Sequence, residues 1–172
     1  MSKSVVILSS VAAKNVDAFN KSGKHATEAM ENGCVVTPGA KSTTAGEGDV
    51  YVCTISTSVD TDIFNMVYEA PVPVVAGKYK GITDDPREFE IPATNTFNMY
   101  KPQVGDEIVI TADGLYGSKA SNTFIKPISG QKKLGWAGDA TSVTLAYKLE
   151  GTTFVSIGNE RATAYKFRCV VA

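Results

Sequence analysis

The most constraining feature of this chain is an alternation of apolar and polar residues with a period of two, cut at intervals by turn pairs. From Asp106 to Ala112 the even positions Asp106, Ile108, Ile110 and Ala112 share one side, and Glu107, Val109 and Thr111 share the other. Such a period belongs to a strand, because successive side chains point to opposite faces. Gly105-Asp106 opens the run, and Asp113-Gly114 follows it. Asp-Gly is a strong hairpin signal, since both turn positions favour positive φ. A return strand is therefore expected from Leu115 and Tyr116.

The same grammar recurs. Thr141 to Leu149 places Val143, Leu145, Tyr147 and Leu149 on one face, and Glu150-Gly151 reads as a two-residue turn into a strand over Thr153 to Ile157. Gly158-Asn159 breaks that pattern. Thr163 to Val171 alternates again, with Tyr165, Phe167, Cys169 and Val171 together, and this regularity predicts a strand paired inside a sheet. Upstream, Gly33 to Gly39 reads as a short strand closed by Pro38-Gly39. Val50 to Ile55 is apolar on both faces, as expected for the interior of a sandwich or barrel. Ile63 to Tyr68 and Thr96 to Tyr100 are further strands. Pro71 and Pro73 exclude a central strand there, and Pro127 makes Phe124 to Ile128 an edge at best. Ser129 to Asp139, with Gly130, Gly135 and Gly138, reads as a glycine-rich loop. The sum is an all-β single domain, a sandwich or barrel of roughly eight to ten strands.

Residues 1–32 differ in character and are expected as an extended N-terminal arm before a β domain over 33–172. They are rich in Lys, Asn and Ser. Val16 and Phe19 are too few to fix a helix. Such an arm is ordered only if it packs on its own domain or on a neighbour, and a frayed tail is the competing reading.

Composition narrows the function classes. With 17 basic and 18 acidic residues, the formal charge of -1 supplies no bulk field toward nucleic acid or an anionic membrane. No window approaches the ~18 consecutive apolar residues of a membrane span, and Val5 to Leu8 is too short for a signal peptide, so a soluble, unprocessed chain is expected. Cys34, Cys53 and Cys169 are odd in number and share no Cys-x-x-Cys spacing. They read as reduced, buried thiols rather than zinc ligands. His25 is the only histidine, and it lies in the arm. No nucleophile elbow, zinc-protease motif or dinucleotide fingerprint occurs. The loop around Gly130 to Gly138 lacks the Gly-Lys-Ser/Thr ending of a phosphate loop, and Asp84-Asp85-Pro86 lacks EF-hand spacing and reads as a solvated turn. The chain is read as a non-enzyme without cofactor or metal.

Three motifs in order carry a resemblance. Glu28-Ala29-Met30-Glu31-Asn32-Gly33 precedes Cys34-Val35-Val36. Asp85-Pro86-Arg87-Glu88-Phe89 follows, and then Gly105-Asp106-Glu107-Ile108-Val109-Ile110-Thr111. This order resembles the capsid decoration (auxiliary head, or cement) proteins of tailed bacteriophages, over about residues 24–128. The resemblance implies a structural virion protein made in the bacterial cytoplasm. It would sit on the outer capsid surface and bind the major capsid protein lattice. No catalytic residue, nucleic acid or membrane is implied, and a homo-oligomer is left open. Phe19, Asp84, Asp85, Arg87 and Trp136 are the candidate interface residues. Two other readings stand beside it: a tail tube or baseplate subunit, and a sugar- or peptide-binding β module using Trp136, Tyr116 and Tyr79.

Overall fold

The computed structural model describes residues 3–69 and 85–172, together with the backbone of 74–75 and 78–79. Two β layers share the chain. A six-stranded sheet has the order β1-β9-β13-β12-β10-β11, and a closed barrel has the order β2-β4-β3-β5-β8. The sheet strands are β1 (Val6–Ser10), β9 (Glu107–Thr111), β10 (Phe124–Pro127), β11 (Leu134–Ala137), β12 (Ala146–Ile157) and β13 (Glu160–Val171). The barrel strands are β2 (Asn20–His25), β3 (Val35–Lys41), β4 (Val50–Thr54), β5 (Asn65–Val67) and β8 (Thr96–Tyr100). A short ribbon pairs β6 (Val74–Val75) with β7 (Lys78–Tyr79). The all-β expectation holds, with sheet and barrel both present.

Two apolar cores explain why several strands are apolar on both faces. Met30, Cys34, Val36, Cys53, Val67, Ile91, Phe97 and Met99 fill the barrel. Val6, Leu8, Val35, Met66, Tyr100, Ile108, Ile110, Tyr147 and Phe167 belong to the larger core against the sheet. Adjacent residues therefore serve different cores: Val35 and Val36, Met66 and Val67, Met99 and Tyr100. The two-residue period sends one side chain inward and the next across the seam. Burying an Ile or Phe side chain this fully contributes about 1.5–3 kcal/mol.

Residues 3–32 do not stand apart as an arm. β1 pairs antiparallel with β9, and β2 runs parallel to β4 and antiparallel to β8. Their polar composition suits this, because each strand needs only one packed face. Gly23 makes the barrel closure possible: a Cβ there would meet Cys53 Sγ at 2.7 Å and Phe97 Cε2 at 2.9 Å.

Several expected turns fall elsewhere. Asp113-Gly114 does not make a hairpin but lies in a 3-10 turn over Ala112–Gly114. β9 already has β1 on one edge and β13 on the other, so no return strand fits. Gly114 is needed for space rather than for positive φ, because a Cβ would fall on the Ser4 side chain and 2.7 Å from Ile110 Cγ2. Pro38-Gly39 runs through β3 at an irregularity in its pairing with β4 rather than closing it, and a bulge tolerates the missing proline N–H. Glu150-Gly151 is likewise a bulge, so β12 is one strand of 12 residues and not two. The hairpin turn is at Gly158-Asn159 instead. β12 begins at Ala146 rather than Thr141. The glycine-rich stretch after Ser129 holds β11. β10 is internal and not an edge; β12 flanks only Phe124 and Ile125, so Pro127 costs no bond to that neighbour. Pro71 and Pro73 lie outside the described residues.

Candidate functional site

The groups best suited to covalent chemistry are withdrawn from solvent. Cys34, Cys53 and Cys169 are free thiols at 0%, 2% and 1% exposure. Burial pushes Cys34 and Cys53 up to about 11 and Cys169 up to about 12. A thiol in such surroundings is a small hydrophobe rather than a nucleophile. His25 ends β2 and caps a turn, its Nδ1 accepting from the Glu28 N–H at 2.9 Å. Desolvation lowers its basicity, opposed by the nearby Glu28 carboxylate. Among the described residues, no group of three or more His, Cys, Asp or Glu is placed to hold a metal. Nor is any helix among them long and apolar enough to cross a membrane.

The candidate interface residues do not form one surface. Phe19 is half-buried against the main core, with its carbonyl accepting from the Lys101 N–H at 2.9 Å. Asp85 accepts from the Arg87 backbone N–H at 2.8 Å and caps the 3-10 turn over Pro86–Glu88. The Arg87 guanidinium holds the Asp85 carboxyl below its usual range. Its Nη1 also reaches Glu160 Oε2 at 2.7 Å, which ties this loop to the tip of the β12–β13 hairpin. Trp136 lies on β11, edge-on to Tyr165 at 5.0 Å between centroids and tilted on Phe167 at 5.5 Å. Asp84 lies outside the described residues.

The sugar-binding trio is not assembled as a free platform either. The Trp136 ring is engaged by Tyr165 and Phe167, and the side chain of Tyr79 is not described. Tyr116 is half exposed and its backbone runs parallel beside Gly135. A separate polar cleft of about 730 Å³ opens beside Lys21, Tyr51, Lys41, Tyr68 and Asn98. There the Lys21 and Lys41 ammonium groups sit 5.1 and 5.9 Å from the centre of the Tyr51 ring, so that ring already has cationic partners.

Two surfaces present exposed apolar groups, one beside loops and one on a strand. At the base of the β12–β13 hairpin, a depression of about 340 Å³ is lined by Ile63, Phe64, Pro102, Leu145 and Val171. Ile63 on its rim is 57% exposed, and Val104, two residues beyond Pro102, is 67% exposed. At the other end, Phe154 projects from β12 at 60% exposure. Because β12 is 12 residues long, its two ends lie ~36 Å apart at the usual rise per residue. Because sequence reading split β12 in two at Gly151, it could not place these surfaces at opposite ends of one strand.

No protein-family model, no curated protein and no solved structure matches this chain.

Proposed function

We propose that this chain is a structural virion subunit that decorates a tailed-phage head by docking on the major capsid protein lattice. The observation that supports it is the apolar depression lined by Ile63, Pro102 and Val171, with the exposed Val104 two residues along the chain from Pro102. An apolar concavity with an exposed Ile63 on its rim has the character of a docking site. Phe64 and Leu145 in its lining belong to the main core, which holds the depression in place and limits the ordering that binding would cost. The near-zero net charge fits recognition by shape rather than by a long-range field. The resemblance in motif order supplies the identity of the partner.

Removing residues 1–23 cannot test this, because it would take away β1 and most of β2. Point substitutions can. Ile63→Asp and Val104→Asp replace exposed side chains and leave both cores intact. Occupancy on purified heads, read by co-sedimentation, should fall strongly in the double variant. Unchanged occupancy would remove this surface from the mechanism.

A further inference from the structure

Among the described residues, β12 carries an open edge over Gly151–Ile157. An unpaired strand edge is a template for another strand, and folded proteins generally block it. Here the edge strand β1 has its Leu8 carbonyl occupied by Lys14 Nζ at 3.0 Å. β11 is covered by Tyr116, which donates to the Leu134 carbonyl at 2.9 Å and accepts from the Trp136 N–H at 3.2 Å. The barrel has no edge.

β12 is different. β10 pairs with it only at Lys148 and Tyr147, and the Leu149 N–H donates to the Thr123 carbonyl at 2.8 Å. The bulge between Leu149 and Gly151 comes next, and bulges end pairing. Beyond it, Gly151–Ile157 is paired with β13 on one side. Among the described residues, no backbone hydrogen bond joins it to any other strand on the other side. Thr152-Thr153-Phe154-Val155-Ser156-Ile157 has no charge, no proline and no glycine. It therefore lacks the residues that usually guard an edge.

We propose that a second copy of this chain adds its own β12 antiparallel to this edge, joining two hairpins into a continuous four-stranded sheet about a two-fold axis at Thr153. Self-pairing closes after two copies, because an isologous contact uses the same surface twice. The register is chosen by charge. An axis at Thr153 sets Glu150 of one copy opposite Ser156 of the other. Ser156 is flanked on β13 by the exposed Arg161, so each Glu150, 3.7 Å from Arg168 of its own chain, gains a second cation one strand beyond its partner at both ends. Phe154 then faces Thr152 directly and lies diagonal to its own counterpart, a spacing within reach of aromatic side chains. No like charges come opposite one another. The dimer contact and the lattice-docking depression sit at opposite ends of β12, so both can be occupied together. This inference stands whether or not the lattice reading is right.

The test uses the full chain in solution. Sedimentation velocity over a wide concentration range should show a monomer–dimer equilibrium. Hydrogen exchange should show protection of the 151–157 amides that grows with protein concentration and is confined to that strand. Thr152→Lys with Phe154→Lys places like charges across the axis on an exposed face. It should weaken self-association by roughly tenfold, the scale of a few unfavourable cross-strand pairs, with the melting temperature unchanged. A strictly monomeric wild type, or a dimer whose protected amides lie elsewhere, would overturn the proposal. Should the double variant fail to fold, the exchange pattern of the wild type decides alone.

Discussion

Glu31 reaches Lys133 across the seam between barrel and sheet, with Oε1 and Nζ 3.0 Å apart and the carboxylate 7% exposed. Its other oxygen accepts from the Ser4 N–H. Lys133 in turn donates to the Asp113 carbonyl at 2.7 Å. One buried carboxylate thus fastens the lead-in to β3, the lead-in to β11, the start of the chain and the turn after β9. Glu31→Ala leaves the Ser4 N–H without its acceptor and Lys133 without its counter-charge. It should cost about 1.5–3 kcal/mol, the range for a hydrogen bond to a charged group, read from the denaturation midpoint. Lys133→Met should also destabilise, because it leaves the Glu31 carboxylate, 7% exposed, without its counter-charge.

Two glycines are required for space. Gly23→Ala and Gly114→Ala each press a methyl group into packed neighbours and should cost about 1–3 kcal/mol by overpacking. Gly48→Ala is the control: nothing lies within 4 Å of its Cβ position. Equilibrium unfolding should place that variant within about 0.5 kcal/mol of the wild type.

Stability should fall in alkali. The thiols have an ordinary value of 9.0, but burial raises them to about 11 for Cys34 and Cys53 and about 12 for Cys169. Burial also raises the Tyr100 and Tyr147 phenols above their ordinary 10.0. Above pH 9 the unfolded chain gives up protons that the folded chain keeps, so the contribution is intact below pH 9 and erodes as the pH rises from 9 toward 12. Melting temperatures measured at intervals from pH 8 should be flat to about 9 and then decline. Constant melting temperatures through pH 11 would show these groups to be solvated.

The same burial controls thiol chemistry. At pH 8 a thiol-specific reagent should label all three cysteines only as fast as the protein opens, and label three at once in denaturant. Rapid labelling of a single cysteine in the native state would place that residue at the surface.

Much of the sheet was legible because period two survives any topology. β9 and β13 follow the alternation at Ile108, Ile110, Phe167 and Cys169. Two-sided burial was read only for Val50 to Ile55; the apolar doublets in β3, β5 and β8 also fill both cores, which strand character alone did not reveal. Turn chemistry misled most. Asp113-Gly114, Pro38-Gly39 and Glu150-Gly151 all have turn composition, yet one is a 3-10 turn and two are pairing irregularities. Composition alone cannot tell a turn from a bulge, because both need small or unhindered backbone; the neighbouring strands decide. β1 and β2 were hidden for a related reason: Asn20 to His25 is polar and gains its partners from β4 and β8, far along the chain. The apolar depression was invisible because Ile63, Pro102 and Val171 converge only in three dimensions.

The most direct measurement of the proposed docking is saturation binding of the purified chain to tailed-phage heads that lack decoration subunits. The expected result is binding that saturates at a fixed ratio of copies to capsid subunits and is lost when Ile63→Asp and Val104→Asp are combined. An absence of saturable binding by a folded wild-type chain would contradict the docking role.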